Sequence, residues 1–165
     1  MSCDLANLLE RLANAGVDFV LIGGFAGIVH GCTYVTQDID ICCDFSAGNL
    51  LSLQEAVSDL HPVHRMTPSR MPLQLTPQAC EQLKNLYLDT NLGQLDCLSY
   101  VDGIGGYEEV KRVSELVAAE NIQIRVLTLD GLIKAKAAMH RPRDKETIHQ
   151  LETIKRLKEQ KSGQS

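Results

Sequence analysis

The order of apolar and polar positions along the chain breaks it into short segments of two periods. Leu5, Leu8, Leu9 and Leu12 recur at helical spacing, with Asp4 placed to cap and Gly16 to stop, so the spacing predicts an amphipathic helix over 4–15. Residues 18–22 form a β-rich apolar run ending in Gly23-Gly24, and 25–30 are apolar again until Gly31, a pattern of strand, glycine turn and short helix. In 37–43 the period becomes two. Asp38, Asp40 and Cys42 share one face of that strand, and Ile39, Ile41 and Cys43 share the other.

Helical periodicity returns over 49–60, whereas 61–77 contains four prolines and little periodicity, and is expected to be an irregular or edge segment. Residues 86–88 and 94–98 flank Asp89-Thr90-Asn91-Leu92-Gly93, a loop suited to a β-hairpin. The stretch 103–106, Gly-Ile-Gly-Gly, suggests a flexible loop. Alternation over 121–127 predicts a further strand, and 129–139 and 146–157 two helices separated by His140-Arg141-Pro142.

With 165 residues the chain has the size of one domain, expected over 1–160 with a frayed tail at 161–165. The apolar runs at 19–25 and 126–129 fall well short of the ~20 residues a membrane helix needs, and Asp4 precedes any basic residue. No membrane span and no signal peptide are expected. The six cysteines (Cys3, Cys32, Cys42, Cys43, Cys80, Cys97) form no CxxC pair and fall partly in apolar runs, which fits free thiols in a reducing cytoplasm better than zinc ligands or a disulfide framework.

Charge is unevenly divided. Residues 1–133 hold 7 basic and 17 acidic side chains, a net of -10, and residues 134–165 hold 9 basic and 4 acidic, a net of +5. One end of the chain thus suits a polyanion and the rest suits cations. Aromatic residues make up only 4% and tryptophan is absent, which leaves little for a base-stacking platform.

The candidate chemistry starts at Asp38 and Asp40. Two carboxylates projecting from one face of a strand can share a hard, oxygen-seeking divalent cation, and without one they repel each other. Upstream, glycines at a strand-to-helix turn let phosphate oxygens approach the backbone. No GxxxxGK[ST] occurs, and Gly23-Gly24-Phe25-Ala26-Gly27 lacks the GxGxxG spacing, so neither a P-loop nor a dinucleotide fingerprint accounts for the turn. His30 fits a packed or helix-terminal role, and no base near Cys42 marks it as a nucleophile.

Leu21-Ile22-Gly23-Gly24-Phe25-Ala26, His30-Gly31 and Thr36-Gln37-Asp38-Ile39-Asp40-Ile41 together resemble the DNA polymerase β-type nucleotidyltransferase superfamily, in its small bacterial branch of abortive-infection and toxin-antitoxin (AbiEii-like) proteins. A second match is Leu132-Ile133-Lys134-Ala135-Lys136 followed by Arg141-Pro142-Arg143-Asp144, similar to the family's lysine helix and Arg-Pro-x-Asp turn. The resemblance implies an α/β (α+β) nucleotidyltransferase-like fold, a short mixed or antiparallel sheet with helices packed against it. It implies Mg²⁺, or Mn²⁺ in its place, on Asp38, Asp40 and a third aspartate matched by Asp96, which would be ligand or general base. Gly23, Gly24, Thr36, Lys136, Arg141 and Asp144 fall at nucleotide-binding positions, Asp144 either capping the last helix or orienting a basic partner.

The implied reaction is transfer of a nucleoside monophosphate from an NTP, ATP among them, to an RNA or tRNA, protein or small-molecule hydroxyl, with release of pyrophosphate. The implied partners are a second copy of the chain or a cognate antitoxin. Three positions depart from the family: Gly24 stands where a serine is common, Tyr34 where arginine is frequent, and Thr147 where a second acidic residue often follows Asp144. The alternative is a non-catalytic nucleotide-binding or regulatory partner that keeps the fold.

Overall fold

A computed structural model describes residues 4–119 and 121–163. In chain order the elements are α1 (Leu5–Asn14), β1 (Phe19–Ile22), α2 (Gly23–Val29), β2 (Asp38–Cys43), α3 (Ala47–Ala56), β3 (Val63–His64), α4 (Pro77–Glu81), β4 (Asn85–Thr90), β5 (Gly93–Leu98), β6 (Tyr100–Val101), β7 (Gly105–Gly106), α5 (Tyr107–Arg112), β8 (Ser114–Ala119), β9 (Ile122–Leu127), α6 (Leu129–Ala138) and α7 (Lys145–Ser162). Seven strands form one mixed sheet in the order β3-β4-β5-β2-β1-β9-β8, and β6 pairs only with β7. Within the large sheet β1–β9 and β2–β5 are parallel, and the other four pairings are antiparallel.

The registers sort the side chains into two faces. Val126, Leu21, Ile41, Cys97 and Leu86 lie across from one another in turn, joined along their strands by Ile39, Leu95 and Leu88. All eight are buried, and with Leu8, Leu12, Leu50 and Leu53 they belong to the hydrophobic core. Each such leucine removes enough apolar surface from water to contribute about 1.5–3 kcal/mol. The other face carries Asp38, Asp40, Gln94, Asp96, Leu98, Asn85, Tyr87 and Asp89 by the same alternation, and here all the side chains but Leu98 are polar and all are partly covered except Asn85, which is exposed. Over the β1–β9 half, that second face is closed by α6, whose Gly131 packs so tightly on Leu127 that a methyl there would lie 2.7 Å from Leu127 Cδ1.

Local chemistry explains most boundaries. Asp4 caps α1 by accepting from the Asn7 N–H at 3.1 Å. Ser46, Thr76 and Thr128 cap α3, α4 and α6 in the same way. No loop separates β1 from α2: the helix starts at Gly23 itself, two residues earlier than the apolar run suggests, because Gly23 takes a φ of +69°. The hairpin is tighter than expected. β4 and β5 run to Thr90 and from Gly93, and the Thr90 hydroxyl closes the turn by accepting from Leu92 N–H at 3.1 Å and donating to Gly93 O at 2.8 Å. Asp89 therefore belongs to the strand, not to the loop.

The helix expected over 49–60 stops at Ala56 and is followed by a 3-10 turn at Ser58–Leu60. Gly105–Gly106 pair with Tyr100–Val101, so the stretch expected as a flexible loop is a small hairpin leading into α5. α7 continues through Lys161 and Ser162, two residues that composition placed in the frayed tail; residues 164 and 165 lie outside the described residues, as does Cys3. Among the described residues no helix is long and apolar enough to cross a membrane.

Candidate active site

β2 sits at the centre of the acidic face because it is parallel to β5 and antiparallel to β1, a register that puts Asp40 level with both Asp96 and Ile22. Asp38, two residues along the same strand, faces the same way. One carboxylate oxygen from each of Asp38, Asp40 and Asp96 falls within 4.8 Å of the others, all three side chains being half-buried. The two aspartates of β2 and the one from the later β4–β5 hairpin thus converge.

Three like charges in one place raise the proton affinity of the most enclosed member. Burial, then the charges of Asp38 and Asp96, push Asp40 up to about 7, against the pull of Lys136 and Arg65. Asp96 is also held above its usual range, by burial first, although the Arg65 guanidinium hydrogen bonded to it works in the opposite direction. Asp38 receives the Thr36 hydroxyl on Oδ1 at 2.7 Å.

Gly23 follows from this crowding. A methyl at its Cα would lie 2.8 Å from Asp40 Cβ and 2.9 Å from Cγ, and its φ of +69° disfavours any side chain. Gly23→Ala is expected to cost about 1–2 kcal/mol from the backbone alone, and more from displacement of Asp40. Thermal denaturation checks the stability, and a divalent-cation titration checks the displacement; unchanged binding of the cation would contradict the close approach.

A cavity of about 400 Å³ opens beside the cluster, with Asp40 shared between them. Gly23, Gly24, Lys136 and Arg141 lie on its wall together with Asn85, Tyr87, Leu98, Tyr100, Val101 and Leu132. Of the positions named from sequence, Gly23, Gly24, Asp40, Lys136 and Arg141 therefore meet around one space. Thr36 and Asp144 stand a step behind it. The Thr36 hydroxyl is engaged by Asp38, and the buried Asp144 carboxylate accepts from Arg141 Nε at 2.6 Å. Asp144 occupies the cap position of α7 but its side chain makes no cap hydrogen bond there, so of its two expected roles the structure shows the orienting one.

The departures have local counterparts. The Tyr34 ring lies across α2, its hydroxyl donating to Gly24 O at 2.8 Å in space left open by Gly27. A methyl at Gly24 would approach Thr36 Oγ1 to 3.3 Å, so Tyr34 and Thr36 border the space a serine side chain would enter. His30 is a packed residue, donating from Nε2 to Leu127 O at 2.8 Å. Cys42 shares the acidic face, but burial pushes its thiol up to about 12, which keeps it protonated and inert.

Several neighbours of the site escaped the sequence reading. Asn85 and Tyr87 could have been found by extending the alternation of β4, since Tyr87 lies directly across from Asp96. Arg65 could not: it lies in the proline-rich stretch where no periodicity exists, yet its guanidinium is paired with Asp96.

No protein-family model matches the chain, and no curated protein matches it at a significant level. Solved structures do. ANT(2")-Ia in complex with adenylyl-2"-tobramycin is 14% identical and superposes with a TM-score of 0.55, over 98% of this chain and 97% of that one. The lincosamide antibiotic adenylyltransferase LnuA, lincomycin-bound, is 16% identical with a TM-score of 0.55, over 92% and 94%. A nucleotidyltransferase candidate from Thermotoga maritima, TM1012, is 19% identical with the same TM-score, over 88% of each chain. The chain thus has, over nearly its whole length, the fold of these nucleotidyltransferases.

Proposed function

We propose that the chain is a nucleotidyltransferase that moves a nucleoside monophosphate from an NTP to an acceptor hydroxyl and releases pyrophosphate, using a divalent cation held by Asp38, Asp40 and Asp96. The observation that carries this reading is the convergence of the three carboxylates beside a cavity that Asp40 lines together with Gly23, Gly24, Lys136 and Arg141. An all-oxygen donor set in which burial, and then mutual repulsion, raises Asp40 fits a hard cation such as Mg²⁺ or Mn²⁺. When bound, such an ion supplies charge stabilisation to the phosphoryl oxygens and lowers the pKa of a hydroxyl.

The chain's own groups divide the remaining work. The first amides of α2 have no intrahelical partner, and the absence of side chains at Gly23 and Gly24 leaves them open to phosphate. Lys136 offsets the charge of the triphosphate, and Asp144 holds Arg141 at the cavity wall for the same purpose. Transfer forms a bond from the acceptor oxygen to the α-phosphorus and breaks the bond to the bridging oxygen, which leaves with pyrophosphate. The acceptor's proton passes to a carboxylate of the cluster, for which Asp96 is the expected base.

Lys136→Ala is expected to raise the KM for NTP by about 10- to 100-fold with a smaller change in kcat, the loss of one charge-assisted phosphate contact. Steady-state kinetics checks it, and an unchanged KM would remove Lys136 from the site.

The function itself is tested by incubating the protein with each α-labelled NTP and Mg²⁺ against a panel of acceptors. The panel holds total cellular RNA, the protein alone and small hydroxylated molecules. The small hydroxylated molecules include an aminoglycoside and a lincosamide, because two proteins of this fold carry such compounds. Label on one acceptor class that is lost in Asp40→Asn is the expected result. A second reading, a nucleotide-binding partner without turnover, is favoured by Gly24 in place of serine. NTP binding with no label on any acceptor would select it.

A further inference from the structure

The ion pair between Arg65 and Asp96 differs from a surface salt bridge in its surroundings. Both side chains are largely enclosed, 21% and 15% exposed. Arg65 Nη2 donates to Asp96 Oδ1, and the guanidinium carbon lies 5.7 Å from the centre of the Tyr87 ring. Its Nε–H is buried and has no hydrogen-bond partner among the described residues. That same Nε is 3.9 Å from Asp89 Oδ1, while the other oxygen of Asp89 is taken by Arg70.

Arg65 therefore stands between two carboxylates, bonded to one and a short step from the other, with the N–H that would serve the second left unpaired. A buried unpaired donor is costly, so the arrangement gains a hydrogen bond if the guanidinium moves toward Asp89. The backbone need not follow. Arg65 N–H is fixed to Tyr87 O at 2.9 Å, and β4 carries both Tyr87 and Asp89.

Resting on the divalent-cation site proposed above, we infer that Arg65 is a latch on Asp96: it holds this carboxylate when no cation is bound and passes to Asp89 when a cation takes its place. The guanidinium and a divalent cation compete for the same oxygens, and each repels the other. The latch makes Arg65 a positioning residue, acting through Asp96 and not on the nucleotide. It also keeps three crowded carboxylates partly neutralised until the cation arrives, so the protein takes up the ion weakly alone and fully only with the triphosphate that brings further oxygen ligands.

Titration with Mn²⁺ alone, followed by electron paramagnetic resonance of the free ion, tests this on nucleotide-free protein. Arg65→Gln is expected to bind Mn²⁺ about tenfold more tightly than the unsubstituted protein, a gain that a merely structural role would not produce. Arg65→Lys, which keeps the charge but loses the fork, should fall between the two, and Asp89→Asn, which removes the second berth, should bind more weakly. Equal or weaker Mn²⁺ binding by a folded Arg65→Gln protein overturns the latch. If that variant does not fold, an unchanged affinity in Asp89→Asn overturns it instead. Binding that disappears in Asp40→Asn but ignores Arg65 sinks the latch alone, whereas no Mn²⁺ uptake by any form, even with NTP, sinks the cation site and the latch together.

Discussion

Asp40→Asn is expected to lower kcat/KM for transfer by on the order of 10³-fold or more, since under the proposed function it removes the central ligand of the cation that would supply charge stabilisation to the reaction. The same substitution should stabilise the cation-free protein at about pH 8. Asp40 is the aspartate most strongly resisted by its surroundings, enclosed by the sheet and facing two further carboxylates. Its ionised form is costly there, and asparagine keeps the shape while removing the charge. A gain on the order of 2 kcal/mol is the expected size, after allowance for the lost attraction to Lys136 and Arg65. Denaturation of both proteins in the presence of a chelator checks the stability, and single-turnover label transfer checks the activity. A variant that is both less stable and still active would place the catalytic centre elsewhere.

An activity lost together with stability gained is the sign of a site held in place by the fold at a cost. Local patterning makes part of such a site legible. The alternation over 37–43 is enough to place Asp38 and Asp40 on one face, because a strand has only two faces and the other is filled by Ile39, Ile41 and Cys43. The hairpin around Asp96 and the helix carrying Lys136 are readable for the same reason. What local patterning lacks is the order of strands. That β2 lies between β1 and β5, parallel to the latter, decides that Asp96 meets Asp40, and no residue of either strand announces it.

Two elements were missed for a different reason. β8 is an edge strand whose Glu115, Leu116, Ala118 and Ala119 are all exposed, so it follows neither the strand nor the helix period. α5 buries only Val110, too little apolar surface to leave a pattern. Arg65 is the more instructive absence. Its position is set by the carbonyl of Tyr87, a partner 22 residues further along, and by an ion pair formed only once the sheet exists. The resemblance to nucleotidyltransferases supplies the carboxylates, the glycine turn and the lysine, but not the groups by which this chain manages their charge.

The charge of the cluster should also make the apparent stability of the protein depend on pH and on the cation together. Asp40 has a folded-state pKa of about 7 against an ordinary value of 3.8. For a group raised in this way the folded state binds the proton more tightly than the unfolded chain does. Its stabilising contribution is fully present below about pH 4 and is lost as pH rises toward 7, at about 1.4 kcal/mol per pH unit, with no further loss above. The whole interval corresponds to roughly 4 kcal/mol, an upper figure because the protein can relax around the ionised cluster. Asp96, raised by burial, adds to the loss in the same direction. A divalent cation reverses the pattern, since it binds the ionised carboxylates and must displace the proton from Asp40 at lower pH. Excess Mg²⁺ should therefore raise the melting temperature far more at about pH 8 than at about pH 5.5, its apparent affinity weakening up to tenfold for each pH unit below about 7. Melting curves at the two pH values, with Mg²⁺ and with chelator, give four temperatures that decide it. An equal Mg²⁺ effect at both would mean that the ion binds without displacing a proton from Asp40, and so outside the three-carboxylate cluster.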